Sequence, residues 1–266
     1  MTGPELVAVS FAAGLVLSTV TSPVGVSGAV FLMPVQLSVL QIPSPAVTPT
    51  NLLFNIIAIP GALVRYSRRS SLRSPLTAVM LAGTLPGVVI GAVTRIFLLP
   101  GAHVFRLFVA AVLFPLGIWL CRRAWTNLTR TRDAKTDSSR RIAGLSLLIG
   151  ILSGIYGIGG GSLLSPILVG RGLPVADVAP AALTSTFVTS VAGAATYLLL
   201  AVTQTGLPIV PHWTVGVAAG LGGLLGGYAG AALQPLVPDR VLRFTLGILA
   251  IITAGFYVGE SFGLTG

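Results

Sequence analysis

Two kinds of segment in this chain could do chemistry without any charged side chain. The first is YGIGGGSLLSP at 156–166, which holds Gly157, the run Gly159, Gly160 and Gly161, and then Ser162. Three glycines in a row disfavour an uninterrupted helix. The string predicts a turn between two half-helices, with Ser162 opening the second. A half-helix N-terminus presents N–H groups and a partial positive charge, which suits an anion. A degenerate copy lies at VGVSGAVFLMP, 24–34, where Gly25, Ser27, Gly28 and Ala29 stand at the positions of Gly157, Gly159, Gly160 and Gly161. Neither copy has the lysine of a phosphate-binding GxxxxGK[ST] loop, and Ser162 replaces the last glycine of GxGxxG. Glycines used only for close packing are the plain alternative. The proline six residues after Gly28 and again after Gly160 weighs against it, because the break is then duplicated whole.

The second kind is VTPTNLLFN at 47–55 with its counterpart VAPAALTSTFVTS at 178–190. Pro49 and Pro180 disfavour a helical residue before them, so a helix is expected to start at or just after each. Thr50, Asn51 and Asn55 then fall in the opening turns of one helix, and Asn51 and Asn55, four apart, share a face. Thr184, Ser185, Thr186, Thr189 and Ser190 occupy the matching part of the other. Such groups can face a substrate, bond across helices or simply back-bond to their own helix. Asn51, Asn55, Thr184, Ser185 and Thr186 are the expected substrate-facing set, beside Gly25, Ser27, Gly28, Gly157, Gly159, Gly160, Gly161 and Ser162.

The elements that must position these residues are read from composition. Of 266 residues, 54% are hydrophobic and 8% charged, against about 25% charged in soluble domains. The chain is therefore expected to be an all-α integral membrane protein. Apolar stretches cover roughly 5–40, 46–64, 75–99, 103–121, 142–169, 178–203, 213–236 and 241–259, several with the ~20 residues a bilayer crossing needs. Their continuous hydrophobicity excludes the alternation of a membrane β-barrel. The N-terminal stretch has no basic residue ahead of it, so it reads as a retained segment rather than a cleaved signal. With one cysteine, Cys121, no internal disulfide can form. The net charge of +10 sits largely in the 65–73 loop and the linker 122–141, eleven basic residues together. This is the pattern of cytoplasmic loops, with anionic lipid as a neighbour and not nucleic acid.

The linker divides the chain into 1–121 and 142–266, each with one long broken stretch followed by three simpler ones. Gly25 and Gly157, Gly28 and Gly160, and Pro34 and Pro166 match at an offset of 132; Pro49 and Pro180, Leu52 and Leu183, and Tyr66 and Tyr197 match at 131. Gly83, Gly87 and Gly91 in one half, and Gly222, Gly226 and Gly230 in the other, put glycine on one helix face for close approach. If every stretch crosses once, Arg95, Arg106, Arg171, Arg240 and Arg243 lie outside. If each long stretch is a re-entrant hairpin, the halves are inverted and only Arg95 and Arg106 remain outside. The positive-inside rule favours inversion. Arg95 reads as an arginine snorkelling from a helix end. The acids Glu5, Asp133, Asp137, Asp177, Asp239 and Glu260 lie in loops or near segment ends, and His103 and His212 stand apart, so no metal or cofactor is expected. No HExxH, GxSxG or buried carboxylate pair suggests an enzyme; an anion channel would share the same site.

These features resemble the TauE/SafE family of sulfite and organosulfonate exporters. The resemblance rests on the broken GIGGG motif with its following proline, the copy SPVGVSGAVFLMP, the Pro-Thr-Asn and Ala-Leu-Thr-Ser segments and the basic central loop. It implies a multi-pass permease of the bacterial inner membrane with a cytoplasmic linker. The implied partners are a small sulfur-containing anion such as sulfite, sulfoacetate or another organosulfonate, and the lipid bilayer, with a homodimer left open. Ser27 and Ala29 replace glycines of the second copy, so unequal half-sites are expected.

Overall fold

A computed structural model describes residues 3–98, 102–125, 139–203 and 210–261. Among these the chain is entirely helical, in the order α1 (Gly3–Thr21), α2 (Ala29–Pro34), α3 (Ser44–Ser67), α4 (Pro75–Phe97), α5 (Ala102–Trp125), α6 (Ser139–Tyr156), α7 (Gly160–Gly170), α8 (Val175–Thr203), α9 (Trp213–Leu233) and α10 (Asp239–Ser261). Six stretches are long and apolar enough to cross a bilayer: Gly3–Val24, Ala46–Ser67, Pro75–Phe97, Val175–Thr203, Trp213–Leu236 and Arg240–Gly259. The expected all-α membrane architecture is what the chain adopts. Both long apolar stretches break as anticipated, the first into α1 and α2 and the second into α6 and α7. The linker is shorter than its charge pattern suggests, because α5 continues to Trp125 and α6 begins at Ser139; residues 126–138, with Arg130, Arg132 and Lys135, lie outside the described residues.

Helices start where the local chemistry allows. Ser74 caps α4 by accepting the Thr77 N–H at 3.1 Å. His212 caps α9 through its ring nitrogen and gives its own N–H to Thr50 Oγ1 at 2.8 Å, tying the start of α9 to the start of α3. The proline positions shift the expected starts a little: α3 begins at Ser44 and α8 at Val175, so Pro49 and Pro180 sit inside the first turns rather than at their mouths.

The glycine faces form the tightest contacts. A Cβ on Gly83 would meet Ala143, Ser146 and Leu147 of α6, and one on Gly91 would meet Ile151 and Gly154. On α9, Gly222 lies against Phe11 and Leu15, and Gly230 against Thr19. In both pairs the contacts advance together along the two chains, so α4 runs parallel to α6 and α9 parallel to α1. Other pairs run oppositely. Leu52 of α3 lies against Gly193 of α8, while Thr48, a turn earlier, and Tyr197, a turn later, bond the adjacent carbonyls of Ile155 and Gly154. Gly117 of α5 lies against Gly247 and Ile251 of α10, and Cys121 lies against Gly247 and Phe244. Thus α3 is antiparallel to α8, and α5 to α10. The pairings are reciprocal: α4 packs on α6 and α1 on α9, while α3 packs on α9 and α4 on α8.

Contact through backbone leaves no room for a side chain. Gly226→Ala, whose Cβ would run into the Leu15 carbonyl, is expected to lower stability by about 1–3 kcal/mol through overpacking. Gly144→Ala faces open space and is expected to be neutral or stabilising by up to about 1 kcal/mol. Thermal unfolding of the two variants in one detergent checks this; equal effects would contradict it.

Candidate functional site

Each broken stretch is a hairpin whose turn depends on a left-handed glycine. After α1, a short 3₁₀ turn at Ser22–Val24 brings the chain to Gly25, at φ +75°. By Gly28 the backbone has doubled back, because a Cβ there would lie 3.1 Å from Ser18 Oγ on α1. After α6, the chain turns at Gly157 (φ +72°) and Gly159 (φ +75°) and enters α7. Residues with a Cβ rarely adopt this conformation. Close approach adds a second reason for glycine. Gly25 lies against Ala179, whose Cα would be 2.5 Å from an added Cβ, and Gly157 lies against the Thr48 carbonyl. Each turn is therefore seated on the opening turns of the helix that follows the other hairpin.

The turns are held from the helix ends. The Tyr66 hydroxyl, one residue before the end of α3, donates to the Ser22 carbonyl at 3.0 Å, and Gln234 Nε2 donates to the Pro23 carbonyl at 2.9 Å. The Tyr197 hydroxyl, near the end of α8, donates to the Gly154 carbonyl at 3.0 Å. Tyr66 and Tyr197 are matched by the sequence repeat, as are Ser22 and Gly154. The first turn overlaps the start of α7: the Ser27 N–H donates to Ser162 Oγ at 3.2 Å, and Ser165 Oγ donates to the Val24 carbonyl. Residues 24–27 therefore run antiparallel to α7.

Side chains from α3, α4 and α8 close around this overlap. Asn55 joins the hairpins: its Oδ1 accepts from Ser27 Oγ, and its Nδ2 donates to the Gly157 carbonyl at 3.2 Å. Ser162 Oγ donates to the Ile158 carbonyl at 2.9 Å and lies 3.3 Å from Thr186 Oγ1. The Gly160 N–H donates to Thr189 Oγ1 at 2.9 Å. Gly160 also packs on Thr84, whose hydroxyl lies 3.1 Å from that of Ser185. Gly159 and Gly161 both pack on Thr186. Ser27, Asn55, Ser162, Ser185, Thr186, Thr189 and Thr84 are all buried.

Two expectations change in detail. Helix α7 starts at Gly160, two residues before Ser162, because Gly159 in its left-handed conformation ends the turn. The Ser162 hydroxyl turns back onto its own helix and across to the other hairpin. Thr184 is not brought to the overlap: it is half-buried, and its hydroxyl donates to the Pro180 carbonyl at 2.8 Å. Two residues from Thr186 is about 200° around a helix, so the two cannot share a face.

Asn51 stands out within this site. It is fully buried, and neither its Oδ1 nor its Nδ2 has a hydrogen-bond partner. It stands one turn before Asn55 and about one turn after Thr48, whose hydroxyl bonds the Ile155 carbonyl at 3.2 Å. Gln36 is in the same condition, fully buried with both amide atoms unpaired. It occupies a π-helical turn, Val35–Val39, that follows Pro34. Leaving a buried polar group unpaired costs about 1–3 kcal/mol, and π turns occur often at functional positions. Gln36 and Thr84 were not among the expected residues, and Thr189, named with its helix, was not in the expected substrate-facing set. Each carried a usable signal: Gln36 is the one carboxamide in the stretch 5–40, Thr84 adjoins the glycine face of α4, and Thr189 lies one turn beyond Ser185. The carboxamides belong to one half of the repeat: Gln36, Asn51 and Asn55 align with Leu168, Ala182 and Thr186.

The cavity reached by Ser162 measures about 20 Å³, and its remaining lining is apolar, including Val26, Val30, Leu113, Leu163 and Pro166. That holds about one water molecule. The arrangement offers amide and hydroxyl groups to a small polar ligand, enclosed by packed hairpins, in a fold built to cross a bilayer several times.

Comparison with known proteins supports a membrane carrier. The family model described as sulfite exporter TauE/SafE matches residues 10–257. A curated relative, "Sulfite exporter TauE/SafE family protein 5" of Arabidopsis thaliana, is 36% identical over 90 residues, a segment that covers 33% of this chain and 20% of that protein. No solved structure matches. A match that runs from α1 to α10 and takes in both hairpins settles the relationship: this chain is a multi-pass membrane protein of the TauE/SafE sulfite exporter family.

Proposed function

We propose that this chain is a secondary transporter that carries a small sulfur oxyanion or sulfonate through the overlap of its two hairpins. Asn51 is the observation that carries the reading. A carboxamide wholly buried and unpaired beside a polar junction destabilises the resting fold, and a ligand that accepts hydrogen bonds removes that penalty. In this proposal Nδ2 of Asn51 donates to an anionic oxygen. Ser27, Asn55, Ser162, Ser185 and Thr186, with the backbone around Gly25, Gly28, Gly157, Gly159, Gly160 and Gly161, complete the shell. The shell carries no formal charge, so dipoles and hydrogen bonds hold the anion, as at a helix N-terminus. Sulfite comes first among the substrates because the family bears its name; sulfoacetate and taurine share the sulfur–oxygen group.

The same proposal includes inverted repeats, 1–121 and 142–266, joined by a cytoplasmic linker in an inner membrane. Three observations support inversion: α3 is antiparallel to α8, α5 is antiparallel to α10, and the equivalent tyrosines hold the two hairpin turns from opposite ends of the α3–α8 pair. The charge distribution points the same way. Asn51, Asn55, Ser185 and Thr186 are fully buried. The anion therefore enters only when the hairpins part on one side. Parting on alternate sides is the movement that inverted repeats provide.

Topology is tested by cysteine labelling in a Cys121→Ala background. Ala176→Cys, exposed in the first turn of α8, should react from the same side as Ser71→Cys in the basic loop, and Trp213→Cys from the opposite side. Labelling of Ala176→Cys and Ser71→Cys from opposite sides would remove the inversion.

Function is tested by flux of sulfite, sulfoacetate and taurine in proteoliposomes. Asn51→Leu removes the unpaired amide, so it should keep or raise thermal stability, by up to about 1–3 kcal/mol, while lowering flux at least ~tenfold, about 1.4 kcal/mol of lost substrate interaction. If no anion in the panel is carried, the transport reading fails. If Asn51→Leu carries sulfite as the wild type does, the site assignment fails.

A further inference from the structure

Asn51 is not alone at the hairpin overlap in lacking partners. Ser190 of α8 is fully buried, and its hydroxyl bonds no described residue. The carbonyl one turn back on its own helix, that of Thr186, already accepts from the Thr189 hydroxyl at 3.2 Å. Ser190 Oγ stands at the second hairpin turn, because a Cβ on Gly159 would lie 3.0 Å from it. Asn55 reaches the same turn from α3, donating to the Gly157 carbonyl at 3.2 Å, and Asn51 lies one turn before Asn55. The unpaired atoms are of mixed kind. Asn51 Nδ2 only donates, Asn51 Oδ1 only accepts, and the Ser190 hydroxyl does either. A ligand made solely of acceptor oxygens would satisfy the donors and leave Oδ1 facing lone pairs, with its desolvation cost still in place. The shell is also neutral, built from Gly, Ser, Thr and Asn. The cost of taking an ion out of water grows with the square of its charge, so a dianion costs about four times as much as a monoanion.

We propose that this site takes sulfite as the singly charged hydrogensulfite and rejects the dianion, with Ser190 as a member of the shell. The inference rests on the transport reading of the same site. The protonated group of the ligand donates to Asn51 Oδ1, and its other oxygens accept from Asn51 Nδ2 and the Ser190 hydroxyl. No proton passes to the protein. It enters and leaves on the anion, so each turnover moves one negative charge with one proton bound to it. Sulfonates lack that proton and rank behind sulfite. The shell itself holds nothing that titrates. Charged or titratable residues on the helices around it are Glu5 of α1, Arg65 and Tyr66 of α3, Arg95 of α4, Arg140, Arg141 and Tyr156 of α6, Asp177 and Tyr197 of α8, and Tyr228 of α9; α2 and α7 carry none. His212, the cap of α9, is exposed. Of these residue types only histidine ordinarily titrates near neutrality, where sulfite does. A change of flux there therefore reports the ligand, once His212 is controlled.

Sulfite flux in proteoliposomes is measured at subsaturating total sulfite, with equal pH inside and outside and the leak of protein-free liposomes subtracted. From about one pH unit below the ionisation midpoint of sulfite to about one unit above it, hydrogensulfite falls about tenfold. Flux should fall with it, and half-saturation counted as hydrogensulfite should stay constant within about twofold. Flux that is level or rises across the range overturns the proposal. His212→Asn, which keeps a capping side chain, should show the same profile; a profile that flattens in this variant assigns the titration to the protein and overturns the proposal too. Methanesulfonate is a monoanion throughout the range but has no proton to give. It should inhibit sulfite flux only at concentrations at least ~tenfold above the hydrogensulfite half-saturation, and equal potency overturns the part given to Oδ1. Ser190→Ala should keep thermal stability and raise half-saturation at least ~threefold with maximal flux retained; an unchanged half-saturation overturns the part given to Ser190. If the wild type carries no sulfite, the transport reading falls, and thermal stabilisation of the purified protein by sulfite decides. A shift larger below the ionisation midpoint than above it upholds the hydrogensulfite site, and an equal, reversed or absent shift overturns it.

Discussion

A helix broken inside a bilayer must find a partner for every backbone group it frees, because no lipid can supply one. Much else in this protein follows from that constraint. The breaks at 22–28 and 157–159 are tolerated because each is enclosed by the other half of the chain. Tyr66 and Gln234 hold the first turn and Tyr197 the end of α6, while the first turn bonds α7 through Ser27, Ser162, Ser165 and Val24. Neither hairpin could stand alone at that depth. The two halves are therefore parts of one core, although the sequence reads as two units.

Close approach is what makes the enclosure possible. Glycine on α4 and α9 lets the first legs of the hairpins sink against those helices, backbone to backbone. Association between helices in lipid depends on such packing rather than on the exclusion of water. The result is a rigid outer frame of long helices around a junction held by single hydrogen bonds.

Much of this was legible in the residues. Continuous apolar runs predicted membrane helices, Gly159–Gly160–Gly161 predicted a break, and the glycine stripes predicted the closest helix pairs. Charge counting led to the expectation of opposed halves, which belongs to the proposed function and is tested by labelling. Other features depend on tertiary placement and were hidden. Nothing local distinguishes Thr184, which faces away, from Thr186, which faces Ser162, because Ser and Thr satisfy themselves equally well on either face of a helix. Gln36 looked like one polar residue in an apolar run until its burial without a partner was seen. Arg95 near a helix end fits snorkelling by position alone; only its burial shows that it turns inward.

In the proposed mechanism transport depends on the separation of the hairpins, and Ser27 and Ser162 mark where they touch. Cysteines at these two positions, in a chain without Cys121, place two thiols across that contact. Sulfite flux measured before cross-linking, after oxidation and after reduction tests the step directly. Flux that stops when the disulfide forms and returns on reduction is the expected result. A disulfide that forms fully while flux continues would show that the anion does not pass by parting the two hairpins.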